Sequence, residues 1–199
     1  MASKEKYLLF YFALLMLLIS CKKQEKMFLS LPSSKTHIDF ENKLENNQSL
    51  SILQYIYYYN GGGVAIGDIN NDGLPDIYFT ANSNGHNKLY LNKGNFEFED
   101  ITEKAGVAGT SDWCTGATMA DVNGDGLLDI YACAVANMHG LKGHNELFIN
   151  NGNGTFKESS ATYGLDFSGF STQAIFLIMI MMVTLIALSS TNRNTPIKI

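Results

Sequence analysis

Apolar positions fall into two unlike patterns along this chain. At the ends they run almost unbroken, from Tyr7 to Ile19 and from Ala174 to Leu188. Between the ends they come as short runs separated by Gly, Asn and Asp: Val64-Ala65-Ile66, Ile77-Tyr78-Phe79, Leu89-Tyr90-Leu91 and Phe96-Glu97-Phe98. Short aromatic and β-branched runs bounded by turn residues predict β-strands. The same order returns as Ala117-Thr118-Met119, Ile130-Tyr131-Ala132-Cys133, Leu147-Phe148-Ile149 and Thr155-Phe156-Lys157. Smaller signatures return with them. Gly85-His86-Asn87 recurs as Gly143-His144-Asn145, Gly94-Asn95-Phe96 as Gly154-Thr155-Phe156, and Ala105-Gly106-Val107 as Tyr163-Gly164-Leu165. A period of roughly 55 to 60 residues with four short strands is the pattern of a β-propeller blade, and no helix is expected within it.

The end runs read differently. A basic start, an apolar stretch of about a dozen residues and Leu18-Ile19-Ser20-Cys21 predict a secretory signal over 1–20, with a lipobox-like site that would leave a lipid on Cys21. The other reading is an uncleaved membrane helix, although spanning takes about 20 residues. Polar, basic residues over 21–36 read as a tether. The C-terminal run is rich in Ile and Met, whose codons begin with AT. A one-base slip in frame therefore converts Leu177 to Ile186, with permitted codon choices, into Asp-Tyr-Asp-Asn-Asp-Gly-Asp-Leu-Asp. That is a third acidic motif where a third repeat is due, so residues 174–199 read as a frameshifted tail. A true membrane or interfacial helix is the alternative.

The acidic motif joins the first two strands of each repeat: Asp68-Ile69-Asn70-Asn71-Asp72-Gly73-Leu74-Pro75-Asp76 and Asp121-Val122-Asn123-Gly124-Asp125-Gly126-Leu127-Leu128-Asp129. Calcium takes six to eight hard oxygens at roughly 2.3–2.6 Å, and alternate residues of a tight loop turn their oxygens to one side. The expected ligands are Asp68, Asn70, Asp72, the Leu74 carbonyl and Asp76, and in the second loop Asp121, Asn123, Asp125, the Leu127 carbonyl and Asp129. Gly73 and Gly126 stand where the chain turns sharply. An EF-hand would need a Glu at the twelfth position and flanking helices; Phe79 and Ala132 stand there, and the flanks are strand-like. A polar hairpin turn without metal is the simpler alternative.

Charge and composition narrow the rest. The 199 residues carry a net charge of −5, and no basic cluster lies away from the termini, so no footprint for a nucleic-acid backbone is present. Twelve Phe and ten Tyr exclude a disordered chain. Three Cys are too few for a disulfide framework. Pairing Ala120 with Ile130 across the second acidic hairpin would offset Cys114 from Cys133, so free thiols are expected. His86, His139 and His144 lack converging carboxylates and read as loop residues. Trp113 and Phe170 read as packing rings, as do the aromatics of Gln54-Tyr55-Ile56-Tyr57-Tyr58-Tyr59, taken as strand-like.

The run Tyr59-Asn60-Gly61-Gly62-Gly63-Val64-Ala65-Ile66-Gly67-Asp68, with its acidic loop and Asp76-Ile77-Tyr78-Phe79, resembles the FG-GAP/VCBS repeat family. The similarity extends over about residues 38–176. It implies an all-β, calcium-loop β-propeller like the integrin α-subunit head and bacterial secreted proteins related to cartilage acidic protein. The expected architecture is an incomplete propeller over 37–173, of about two four-stranded blades plus a broken third, preceded by the signal helix and followed by the aberrant apolar tail. The expected function is an exported, lipid-anchored bacterial envelope protein with two structural Ca²⁺ sites and no catalytic residues. Its partner would be a protein or carbohydrate at the cell surface, its membrane contact the lipid, and nucleic acid no partner. Two alternatives are the N-terminal piece of a secreted enzyme and a small bitopic membrane protein.

Overall fold

The computed structural model describes residues 27–44, 50–82, 86–179, 184–189 and 197–198. The expected signal sequence, Cys21 and residues 22–26 of the tether lie outside that range. The chain divides at Leu31/Pro32 into two units, and the described residues 27–31 of the first contain no helix or strand. The second unit begins with a single helical turn, α1 (Ser33–Thr36), inside the segment expected to be tether.

Two four-stranded antiparallel sheets follow, each a meander in chain order. The first comprises β1 (Val64–Gly67), β2 (Asp76–Phe79), β3 (Lys88–Asn92) and β4 (Phe98–Asp100); the second comprises β5 (Cys114–Ala120), β6 (Asp129–Ala134), β7 (Glu146–Asn150) and β8 (Phe156–Glu158). Alternation decides what each buries. Ala65, Tyr78 and Leu89 of the first sheet pack with Ala117, Ile130, Ala132 and Phe148 of the second. On the opposite face of the second sheet Tyr131, Cys133 and Leu147 gather with Val122, Leu165 and Ala174. Covered on both faces, β6 is buried at every position. Each large aliphatic side chain so enclosed contributes about 1.5–3 kcal/mol.

Where β1 meets β5 the approach is backbone to backbone. A Cβ on Gly63 would stand 2.5 Å from the Thr115 carbonyl oxygen and 2.7 Å from the Ala117 nitrogen, so the glycine just before β1 is a packing requirement.

Four expectations change. First, each sheet is followed by a helical turn, α2 (Thr102–Ala105) and α3 (Ser160–Tyr163), where no helix was expected. Asp100 starts the first by accepting the Thr102 N–H at 2.9 Å, and Glu158 starts the second by accepting the Ser160 N–H at 2.9 Å. Gly106 and Gly164 end them in the left-handed region, which is why that glycine recurs. Second, Tyr55–Tyr59 forms turns and no strand. Tyr55 and Tyr58, three residues apart, are the buried rings, each packed on Trp113. Third, β4 begins at Phe98, opposite Asn92, as β8 begins at Phe156, opposite Asn150. The true repeat partner of Phe156 is therefore Phe98, not Phe96. Fourth, Met119 faces Ile130 and Ala120 faces Asp129, one residue from the expected register, with an irregularity between Cys114 and Ala117. Cys114 and Cys133 are nonetheless both free and buried.

The apolar C-terminal run supplies β9 (Ala174–Met179) and β10 (Thr184–Ser189), joined in a third sheet with β11 (Ile197–Lys198) in the order β11-β10-β9. Ala174 lies in the core beyond β6, and the Phe176 ring stands edge-on to Tyr131 at 5.6 Å. Among the described residues no helix is long and apolar enough to cross a membrane.

Candidate metal centre

The two acidic loops are the β1–β2 and β5–β6 hairpin connections, so strands and not helices flank them. In the first, the Asp68 carboxylate accepts the N–H groups of Asp72 at 3.1 Å and Gly73 at 2.7 Å. The Asn70 Oδ1 reaches the same Asp72 N–H at 3.1 Å. Asp72 Oδ1 accepts the Leu74 N–H at 2.8 Å, and its Oδ2 accepts the Asn70 amide at 2.9 Å. The second loop repeats this scheme. Asp121 accepts the N–H groups of Gly124 at 2.7 Å, Asp125 at 3.1 Å and Gly126 at 2.9 Å. Asn123 Oδ1 accepts Asp125 N–H at 3.0 Å, and Asp125 accepts the Leu127 N–H and the Asn123 amide, both at 2.8 Å. Gly73 and Gly126 take φ of 86° and 87°, a left-handed turn that a side chain would strain.

The last aspartate of each loop is buried and stitched to the sheet. Asp76 accepts the Ile69 N–H at 3.0 Å and the Asn92 N–H at 2.8 Å; Asp129 accepts the Val122 N–H at 2.9 Å and the Asn150 N–H at 2.8 Å. Burial raises the pKa of Asp76, its two backbone donors oppose the rise, and the charges of Asp72 and Asp68 add to it. Asp129 is raised the same way, by burial first and then by Asp125 and Asp121, against the pull of Asn150 and Val122. The three carboxylates of each loop thus stand in one another's field.

Among the described residues no three His, Cys, Asp or Glu side chains are gathered tightly enough to hold a metal ion. The donor chemistry nevertheless suits a hard cation: every expected ligand is an oxygen, and the oxygens of Asp68 and Asn70 already converge on one N–H. In this conformation the carboxylates of Asp68, Asp72, Asp121 and Asp125 are turned onto the loops' own amides.

Several residues with structural weight escaped the sequence reading. Asn92 and Asn150, each two residues before a turn glycine, tie β3 and β7 to the loops. Their side-chain amides donate to the carbonyls of Pro75 at 2.9 Å and Leu128 at 3.1 Å. In the recurring Gly-His-Asn the asparagine matters more than the histidine. Asn87 Oδ1 accepts the Ala81 N–H at 2.9 Å and Asn145 Oδ1 the Ala134 N–H at 2.8 Å, both buried, while His86 is exposed. Glu146 is 1 % exposed, and among the described residues its Oε2 has no hydrogen-bond partner. Burial pushes the thiols of Cys114 and Cys133 up to about 12. Tyr55, Tyr57, Trp113 and Gln173 line a cleft of about 200 Å³ beside the Gly61–Gly63 run.

Residues 68–132 match the family described as FG-GAP-like repeat. Over 73 residues the chain is 42% identical to cartilage acidic protein 1 of Xenopus tropicalis, 41% to that of Mus musculus and 40% to that of Homo sapiens. Each match covers 37% of this chain and 11% of the relative, so the chain spans about a tenth of the length of these curated relatives.

Proposed function

We propose, from the premise that this chain carries an FG-GAP-like repeat of the binding or adhesion type, that it is a calcium-loop β-propeller fragment. It is exported, held to a bacterial envelope by a lipid on Cys21, and acts as a scaffold for a protein or carbohydrate at the cell surface. The observation that carries the calcium reading is the near-identity of the two loop networks. Asp68, Asn70, Asp72 and Asp76 accept from backbone N–H groups at the positions equivalent to those held by Asp121, Asn123, Asp125 and Asp129, in the same hairpin of consecutive sheets. Those residues, with the Leu74 and Leu127 carbonyls, would hold the ion. Calcium bound there supplies positive charge that offsets the carboxylates and fixes the hairpin. The chain's own part is to preshape the loop: Gly73 and Gly126 turn it, and Asp76 and Asp129 anchor its end to the sheet.

Isothermal titration of the purified chain tests this. Calcium should bind at about two sites in preference to magnesium, which demands a tighter octahedral shell. An absence of binding heat, together with unchanged loop amide signals, would reject the reading.

A further inference from the structure

The two acidic loops are not independent. Asn150, 4 % exposed, belongs to the second sheet, where its N–H donates to Asp129 at 2.8 Å and its Nδ2 to the Leu128 carbonyl at 3.1 Å. The same Nδ2 also donates to the Ile69 carbonyl at 2.8 Å, inside the first loop and 81 residues away. Ile69 is the residue whose N–H is held by Asp76. One continuous path therefore runs from the Asp76 carboxylate through the N–H and carbonyl of Ile69 to the Asn150 side chain, and from the Asn150 backbone N–H to the Asp129 carboxylate. A second link lies on the surface, where the Asn71 amide of the first loop donates to the Gly126 carbonyl of the second at 3.2 Å.

We infer that the two loops bind their cations with positive cooperativity, transmitted through Asn150 and reinforced by Asn71. The inference rests on the calcium reading above. In the structure the loop carboxylates hold the loop's own amides, and filling a loop would draw them onto the cation and fix the peptide at its anchor. Once Ile69 is fixed, Asn150 is fixed, and part of the ordering cost of the second loop has already been met. By linkage the effect is reciprocal. The path is directional in sequence: the matching residue of the first sheet, Asn92, bonds its own loop at Pro75, while Asn150 serves both its own sheet and the one before it.

The test measures calcium affinity at the first loop in the full chain, with the second loop intact and with it disabled by Asp125→Ala, an exposed position. Disabling it should weaken the first loop about fivefold, the low end of the usual range for coupled sites. In an Asn150→Ser background that difference should vanish. Asn71→Gly, an exposed change that keeps the left-handed backbone (φ 58° in the structure), should shrink it and serves if Asn150→Ser does not fold. Amide exchange at Val122 and Asn150 should slow when only the first loop is filled. Equal affinity at the first loop with and without Asp125→Ala would overturn the coupling while leaving calcium binding intact. No binding at either loop would remove the calcium reading and the coupling with it.

Discussion

Asp129 allows the structural and ion-holding roles of the loop carboxylates to be separated. It is fully buried and its two oxygens accept the N–H groups of Val122 and Asn150. Replacing it with Ala leaves both donors without an acceptor. A hydrogen bond to a charged group is worth about 1.5–3 kcal/mol, so two give about 3–6 kcal/mol. The variant is also relieved of a carboxylate that is costly to bury and is repelled by Asp125 and Asp121, which offsets part of that loss. A net destabilisation of about 2–4 kcal/mol is expected in the presence of a chelator. Asp125→Ala should differ sharply. Asp125 is exposed and accepts only solvent-accessible bonds within its own loop, from the Leu127 N–H and the Asn123 amide, so its removal should cost under about 1 kcal/mol in chelator and abolish only the increment that calcium adds. Urea unfolding of both variants, with calcium and with chelator, gives the four midpoints required. Equal losses for the two variants in chelator would refute the assignment of Asp129 to the sheet.

Two other outcomes follow from buried groups. Burial raises the Glu146 carboxyl above its ordinary 4.5, against the bonds from Thr110, with the charges of His144 and Glu158 acting in opposite directions. The proton is then held more tightly in the folded chain, so the stability it brings is complete below about pH 4.5 and declines as pH rises through the folded value. Glu146→Gln, neutral throughout, should therefore raise the thermal midpoint at pH 7 and leave it nearly unchanged at pH 4; a larger gain at pH 4 would contradict the sign. Cys114 and Cys133, buried with pKa values pushed up to about 12, should resist maleimide labelling in a Cys21→Ser background until denaturant is added. Fast labelling of the native chain would show that the core around β6 opens.

Most of the sheet architecture was legible because it is written twice. The strand runs at Val64, Ile77 and Leu89 gain force from their copies at Ala117, Ile130 and Leu147, and the acidic motifs mark the hairpin between the first two strands of each sheet. What escaped was set by contacts that leave little local pattern. The turns α2 and α3 are only four residues long, too short for a helical period to appear, and are started by Asp100 and Glu158 at the ends of strands. The register of β5 on β6 differs from the expected one because an irregularity between Cys114 and Ala117 and an eight-residue loop leave the facing residues to be fixed by Asp129 and its two donors. At the candidate site the residue types and spacing were plain. The anchoring by Asn92 and Asn150 was not, since an asparagine before a turn glycine looks like ordinary turn chemistry.

The Tyr78 hydroxyl donates to the Val107 carbonyl at 2.8 Å and the Tyr131 hydroxyl to the Leu165 carbonyl at 2.9 Å, both carbonyls lying just past the glycine that ends a helical turn. Each latch begins and ends within a single repeat, so a copy lifted out whole at the stretch near Asp112 would carry its own fastening. A gene that lengthens or shortens by such copies can change the number of units without inventing new closures, and the tyrosine is the mark by which the boundary of the heritable module can be recognised.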